Sequence, residues 1–194
     1  MADTKQTKSI GEHYVCAMLA RYGWAPALTR DGLARTDVLA VQTTGKRQVI
    51  TVQVKTIRGV QSRASWPLGP NAQTVDAGEN EWFVFVAIPH APAEPMRCFV
   101  VPRLHVSAAV WIAHQHWLTE PGVAPGTRNT ALDRARVSLA AFAGYEDRWT
   151  DMTGPATAAP VRLPAAYRQY ALETRVGVPA EHPWHDVLPM WATD

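Results

Sequence analysis

The sequence predicts an α/β (α+β) domain in which a mixed central sheet is flanked by helices, and three observations carry that expectation. Two apolar runs, Thr36 to Val41 and Val49 to Lys55, are separated by the polar, turn-forming segment Gln42 to Gln48, and read as a hairpin. A continuous apolar run, Glu81 to Ile88, suits a central strand buried on both faces, and Arg97 to Pro102 supplies a strand to pair with it. Two stretches at helical spacing, Lys8 to Gly23 and Arg103 to Leu118, supply helices to cover the sheet.

In the first of these helices Ile10, Tyr14, Val15, Met18, Leu19 and Tyr22 form the apolar stripe, and Gly23 ends it in the manner of a left-handed cap. Glu12 sits off the centre of that stripe, where a carboxylate either complements the helix dipole or faces the sheet edge. Beyond the hairpin, Gly59 to Asn80 is polar and reads as one long loop, of a length that is usually functional or mobile. Its Trp66 either stacks on a base or pins the loop to the core, and pinning is the commoner use of a single aromatic.

In the second helix, Leu104, Val106, Val110, Trp111, Ala113 and Trp117 give the apolar face. His114 and His116, two residues apart, point different ways on that helix and do not form a shared ligand set. Residues 119–130 read as a loop, and Arg136 to Trp149 returns to the core. Gly154 to Pro160 reads as a linker, Pro164 to Glu173 as a short helix, and Trp184, Leu188 and Trp191 as apolar anchors. His182 and His185 read as surface residues. The expected organisation is one domain over 1–152, with a tail over 153–194 that docks on that domain or on a second subunit of a homo-oligomer.

With 194 residues, 47% of them hydrophobic, the chain is long enough for one packed domain. No apolar run approaches the roughly twenty residues of a membrane span, and Met1 to Gln6 lacks a signal peptide's apolar stretch, so a soluble, cytoplasmic protein with no membrane partner is expected. Cys16 and Cys98 suit two buried reduced thiols better than a disulfide or a zinc site. The net charge of +2 conceals a division: residues 1–63 carry ten Lys or Arg against four Asp or Glu, and residues 64–194 carry nine against thirteen. Lys8, Arg30, Arg35, Lys46, Arg47, Arg58 and Arg63 are therefore candidates for a groove that follows a phosphate backbone.

That basic half contains the chemistry. Side chains alternate along a strand, so Gln53 and Lys55 point the same way, and the hairpin brings Asp37 beside them at one edge of the sheet. An acid, an amide oxygen and a lysine gathered there suit a divalent metal and a water set against a phosphodiester.

With the order helix bearing Gly11-Glu12, strand, strand headed by Asp37, strand ending Gln53-Val54-Lys55, the chain resembles the PD-(D/E)XK nuclease superfamily. Restriction enzymes, archaeal Holliday-junction resolvases and some homing endonucleases belong to that superfamily. The resemblance covers roughly the first hundred residues and implies a restriction-endonuclease-like core. It implies Asp37 as the metal-binding aspartate, Gln53 at the second acidic position, Lys55 as the catalytic lysine and Glu12 as the glutamate of the first helix. Metal ligands would be Asp37, Gln53, the carbonyl of Val54 and, through water or a second ion, Glu12. Lys8, Arg30, Arg35, Arg58 and Arg63 would meet nucleic acid. Gln53 departs from the family's acidic residue; an amide oxygen is a neutral ligand and lowers metal affinity. The implied activity is Mg²⁺- or Mn²⁺-dependent DNA endonuclease; the alternative is a nuclease-fold module that binds DNA or protein without cleaving.

Overall fold

The computed structural model describes residues 3–29, 33–75, 78–124 and 126–192. Helix α1 runs Thr4–Arg21 and starts where the Asp3 carboxylate accepts the Lys5 N–H at 2.9 Å, several residues before the apolar stripe begins. Strands β1 (Trp24–Leu28), β2 (Val38–Gln42) and β3 (Val49–Arg58) follow as an antiparallel meander. Gly23 and Gly45, at φ of 82° and 69°, make the turns that lead into β1 and β3.

The segment expected to be a plain loop carries two short elements, β4 (Ser65–Pro67) and α2 (Pro70–Gln73). Then come β5 (Glu81–Ile88), β6 (Arg97–Pro102) and α3 (Arg103–Leu118), on the boundaries that the apolar pattern predicts. β7 (Arg136–Ser138) pairs with β4 in a separate two-stranded sheet, and Leu139–Tyr145 and Trp149–Thr153 continue as 3₁₀ turns. Helix α4 (Ala165–Leu172) lies in the tail.

The main sheet has the order β1-β2-β3-β5-β6; β3 and β5 are parallel and the other pairs antiparallel, which makes it the expected mixed sheet flanked by helices. β5 is an interior strand buried on both faces, and its alternate residues divide between two cores. Trp82, Val84 and Val86 meet α1 through Val15 and Leu19, together with Ile50, Val52 and Val54 of β3. Phe83, Phe85 and Ala87 meet α3 through Val106 and Val110, and with Trp66, Phe142, Trp184 and Trp191 form the larger core. Trp66 is thus a pin, its ring centroid 5.0 Å from that of Phe85.

Two local expectations about the tail change in three dimensions. Gly154 to Pro160, read as a linker, includes a 3₁₀ turn at Ala156–Ala158, and buried Ala156 donates its N–H to the Glu79 carbonyl. His182, read as a surface residue, is buried: its Nε2 meets the Leu104 carbonyl at 3.0 Å and Ser107 Oγ at 3.1 Å, fixing the tail to the start of α3. Both cysteines are free thiols; Cys98 is buried and Cys16 partly so. Among the described residues no helix is long and apolar enough to cross a membrane.

The layout of β3 positions the site. It pairs with β2 only as far as Val52, so residues 53–58 have β5 on one side and, among the described residues, no strand on the other. Gly11 lets α1 close over that stretch: a Cβ there would stand 1.9 Å from Thr56 Oγ1. No side chain fits between helix and strand.

Candidate nucleic-acid groove and active site

Along the open edge of β3 runs a groove of about 870 Å³, walled by the first turns of α1 on one side and by the segment Arg63 to Pro67 with Arg136 on the other. The register that pairs Val38 with Val52 sets Asp37 opposite Gln53, at the point where β2 begins. Asp37 donates its N–H to the Val52 carbonyl, and its Oδ2 accepts the Val54 N–H at 2.8 Å. The carboxylate thus continues the ladder for one more bond and stays fixed at the groove. N–H and C=O of one strand residue face the same side, so the Val54 carbonyl also looks into the groove.

The other oxygen of Asp37 faces α1. Lys8 Nζ lies 3.6 Å from Asp37 Oδ1 and 3.3 Å from Glu12 Oε1, one helical turn further on. Burial works against the Lys8 ammonium, but Glu12 and Asp37 outweigh it and its pKa is raised. Lys55 behaves oppositely. Burial pushes its pKa down, and Lys8 and Arg103 push it further while Asp37 resists. A desolvated lysine beside a carboxylate is poised for stabilising negative charge or passing a proton.

Gln53, half-buried on the same strand face as Lys55, is held from behind. Arg103 Nη2 donates to its Oε1 at 3.3 Å. Arg103 is 2% exposed, sits 2.5 Å from Glu81 Oε2, lies over the Phe83 ring and donates to the carbonyls of Asn71 and Arg35. Arg103 was not singled out by the sequence, where it is one more arginine at a helix start; its partners Glu81, Phe83 and Gln53 are remote in the chain.

Comparison with known proteins adds one likeness of fold. No model of a known protein family matches the chain, and no curated protein does. A similar solved structure is Hjc, a Holliday junction resolvase from Archaeoglobus fulgidus, at 11% identity and a TM-score of 0.38, covering 69% of this chain and 90% of that one. The likeness is in the chain trace and is too loose to carry residue roles from one protein to the other.

Among the described residues no three His, Cys, Asp or Glu side chains gather as a metal-ligand set. Two carboxylates nevertheless converge on one positive charge, with the Lys8 ammonium as a stand-in cation between Asp37 and Glu12. With the Val54 carbonyl beside them, these oxygens suit a hard divalent ion. Gln53 fits less well as a ligand, because its oxygen is already engaged by Arg103.

The expected cations divide. Lys8, Arg58 and Arg63 line the groove, and Arg58 Nε donates to Thr7 Oγ1 at 3.1 Å. Arg35 stands on the Arg103 side, where its carbonyl accepts from Arg103. Arg30 lies outside the described residues. Lys46 and Arg47 occupy the turn of the hairpin, at the end of β3 remote from Lys55. Arg136 lines the groove from β7, anchored to Ser65 by bonds of 2.9 and 2.6 Å. It comes from the acidic part of the sequence, so the charge division concealed it.

Proposed function

We propose that the chain is a divalent-metal-dependent endonuclease that hydrolyses phosphodiester bonds in DNA. The observation that supports this best is that Asp37 and Lys55 share one open groove with Lys8, Arg58, Arg63 and Arg136 around it. A double-helical or branched backbone entering the groove would meet these cations first, and each phosphate contact would release counterions. Asp37, Glu12 and the Val54 carbonyl would hold Mg²⁺ or Mn²⁺. When bound, the ion supplies Lewis-acid polarisation of the phosphoryl oxygen and makes water a better nucleophile at neutral pH. Lys55 stabilises the charge that develops on the phosphate, in a position already partly shielded from solvent. Gln53 offers its amide N–H groups to a phosphate oxygen or to the attacking water.

A second reading has its own observation. The Gln53 oxygen is engaged by Arg103 and Lys8 stands between the acids, an arrangement that also suits a groove that binds DNA without cutting it. Incubation of linear and branched DNA with Mg²⁺ or Mn²⁺ decides between them. Cleavage by the wild type that falls on the order of a hundredfold or more in Lys55→Ala, with the fold intact by circular dichroism, is the expected result. DNA binding with no cleavage in either ion favours the module. Cleavage that survives both Lys55→Ala and Asp37→Ala overturns the assignment.

A further inference from the structure

We propose that Lys8 is a tethered cation that competes with the divalent ion for Asp37 and Glu12, and that a DNA phosphate relieves the competition by taking Lys8 for itself. This rests on the metal and DNA reading above. The ammonium lies within 3.6 Å of one oxygen from each acid, so a divalent ion bound to both would stand too close to it to be tolerated.

The charges around the pair sharpen the conflict. Lys55 interacts electrostatically with both Asp37 and Lys8, so a doubly charged ion entering with Lys8 in place would face two ammonium groups across two carboxylates. Lys8 has somewhere else to go. Its side chain is 59% exposed, projects from the first turns of α1 and lines the same groove as Arg58 and Arg63. A phosphate in the groove offers it an equivalent partner through rotation about its own stem, with no shift of the helix. Lys8 is thus a positioning residue: it holds the two acids together in the free protein and couples their release to the arrival of DNA. Coupling of this kind is reciprocal, so metal and DNA each strengthen binding of the other.

The test is Mn²⁺ binding, followed by the paramagnetic resonance signal of free Mn²⁺, to the full chain without DNA. Lys8→Met is expected to bind Mn²⁺ about tenfold more tightly than the wild type. Lys8→Arg, which restores the charge, is expected to bind as weakly as the wild type. On a Lys55→Ala background, where DNA stays intact, Mn²⁺ is expected to tighten DNA binding when Lys8 is present and to do so much less with Lys8→Met. Equal or weaker Mn²⁺ binding by Lys8→Met overturns the proposal. If Asp37→Asn abolishes Mn²⁺ binding while Lys8→Met changes nothing, the metal site stands and only the role of Lys8 falls. If no form binds Mn²⁺, or Asp37→Asn binds it as the wild type does, the metal reading falls and this proposal with it.

Discussion

Arg103 donates to the Gln53 side-chain oxygen across 3.3 Å, and because a guanidinium accepts nothing, the amide must present its oxygen to Arg103 and its NH₂ elsewhere. Charge counting alone says that Gln53→Glu should tighten metal binding. The geometry says otherwise: the new carboxylate arrives beside a buried cation, which takes up its charge. Gln53→Glu is expected to raise the thermal midpoint while moving Mn²⁺ affinity by less than about threefold, smaller than the gain from a free carboxylate ligand. A large tightening in an Mn²⁺ titration would mean that Arg103 releases the side chain.

Asp37 has a structural duty as well as a chemical one, and two substitutions separate them. Asp37→Asn keeps an oxygen for the Val54 N–H and is expected to leave stability within about 0.5 kcal/mol of the wild type. Asp37→Ala removes that acceptor and is expected to cost about 1–3 kcal/mol in denaturant unfolding. Both are expected to lose cleavage.

Gly11→Ala tests the closeness of α1 to β3. The added methyl would meet Thr56 Oγ1 at 1.9 Å, so the helix must move, at a cost of about 1–3 kcal/mol. Glu12 and Lys8 ride on that helix, and metal binding is expected to weaken along with stability. Adding Thr56→Ala removes the nearest atom and is expected to recover part of both losses in the same unfolding and Mn²⁺ titrations.

Acid sensitivity is expected from two buried histidines. Burial, with His182 nearby, pushes the His105 pKa from 6.5 down to about 3, and its Nδ1 is 2.9 Å from the Tyr145 hydroxyl. His182 is lowered too, by burial, against the opposing effect of the Leu104 carbonyl. A histidine depressed in the folded state takes up its proton in the unfolded chain first. Stability is therefore full above about pH 6.5 and is expected to fall as the pH drops from there toward 3, by up to about 1.4 kcal/mol per pH unit for His105. Unfolding midpoints measured from pH 8 to 4 check this, and His105→Gln is expected to flatten the slope.

The sequence was most legible where periodicity runs long. β5, β6 and α3 announce themselves through eight-, six- and sixteen-residue patterns, and the hairpin register alone sets Asp37 opposite Gln53. β4 and α2, at three and four residues, are too short to show a period, and the 3₁₀ turns after β7 follow contacts instead of a repeat. Buried polar residues were illegible for a related reason. Nothing near His182 in the chain shows that Leu104 and Ser107 will enclose it, and Arg103 is indistinguishable from a surface arginine until Glu81 and Phe83 fold around it.

The bare edge of β3 has a consequence for handling the protein. A strand with one unpaired side is a template for any other strand in solution, and what discourages that here is the charge beside it, Lys55 and Arg58 on the strand and Arg63 and Arg136 across the gap. The cations that would attract a polyanion would therefore also discourage strand pairing between copies of the chain along this edge. Stripping several of them at once, to make a form blind to nucleic acid, would leave an uncharged seam and a protein inclined to stick to itself.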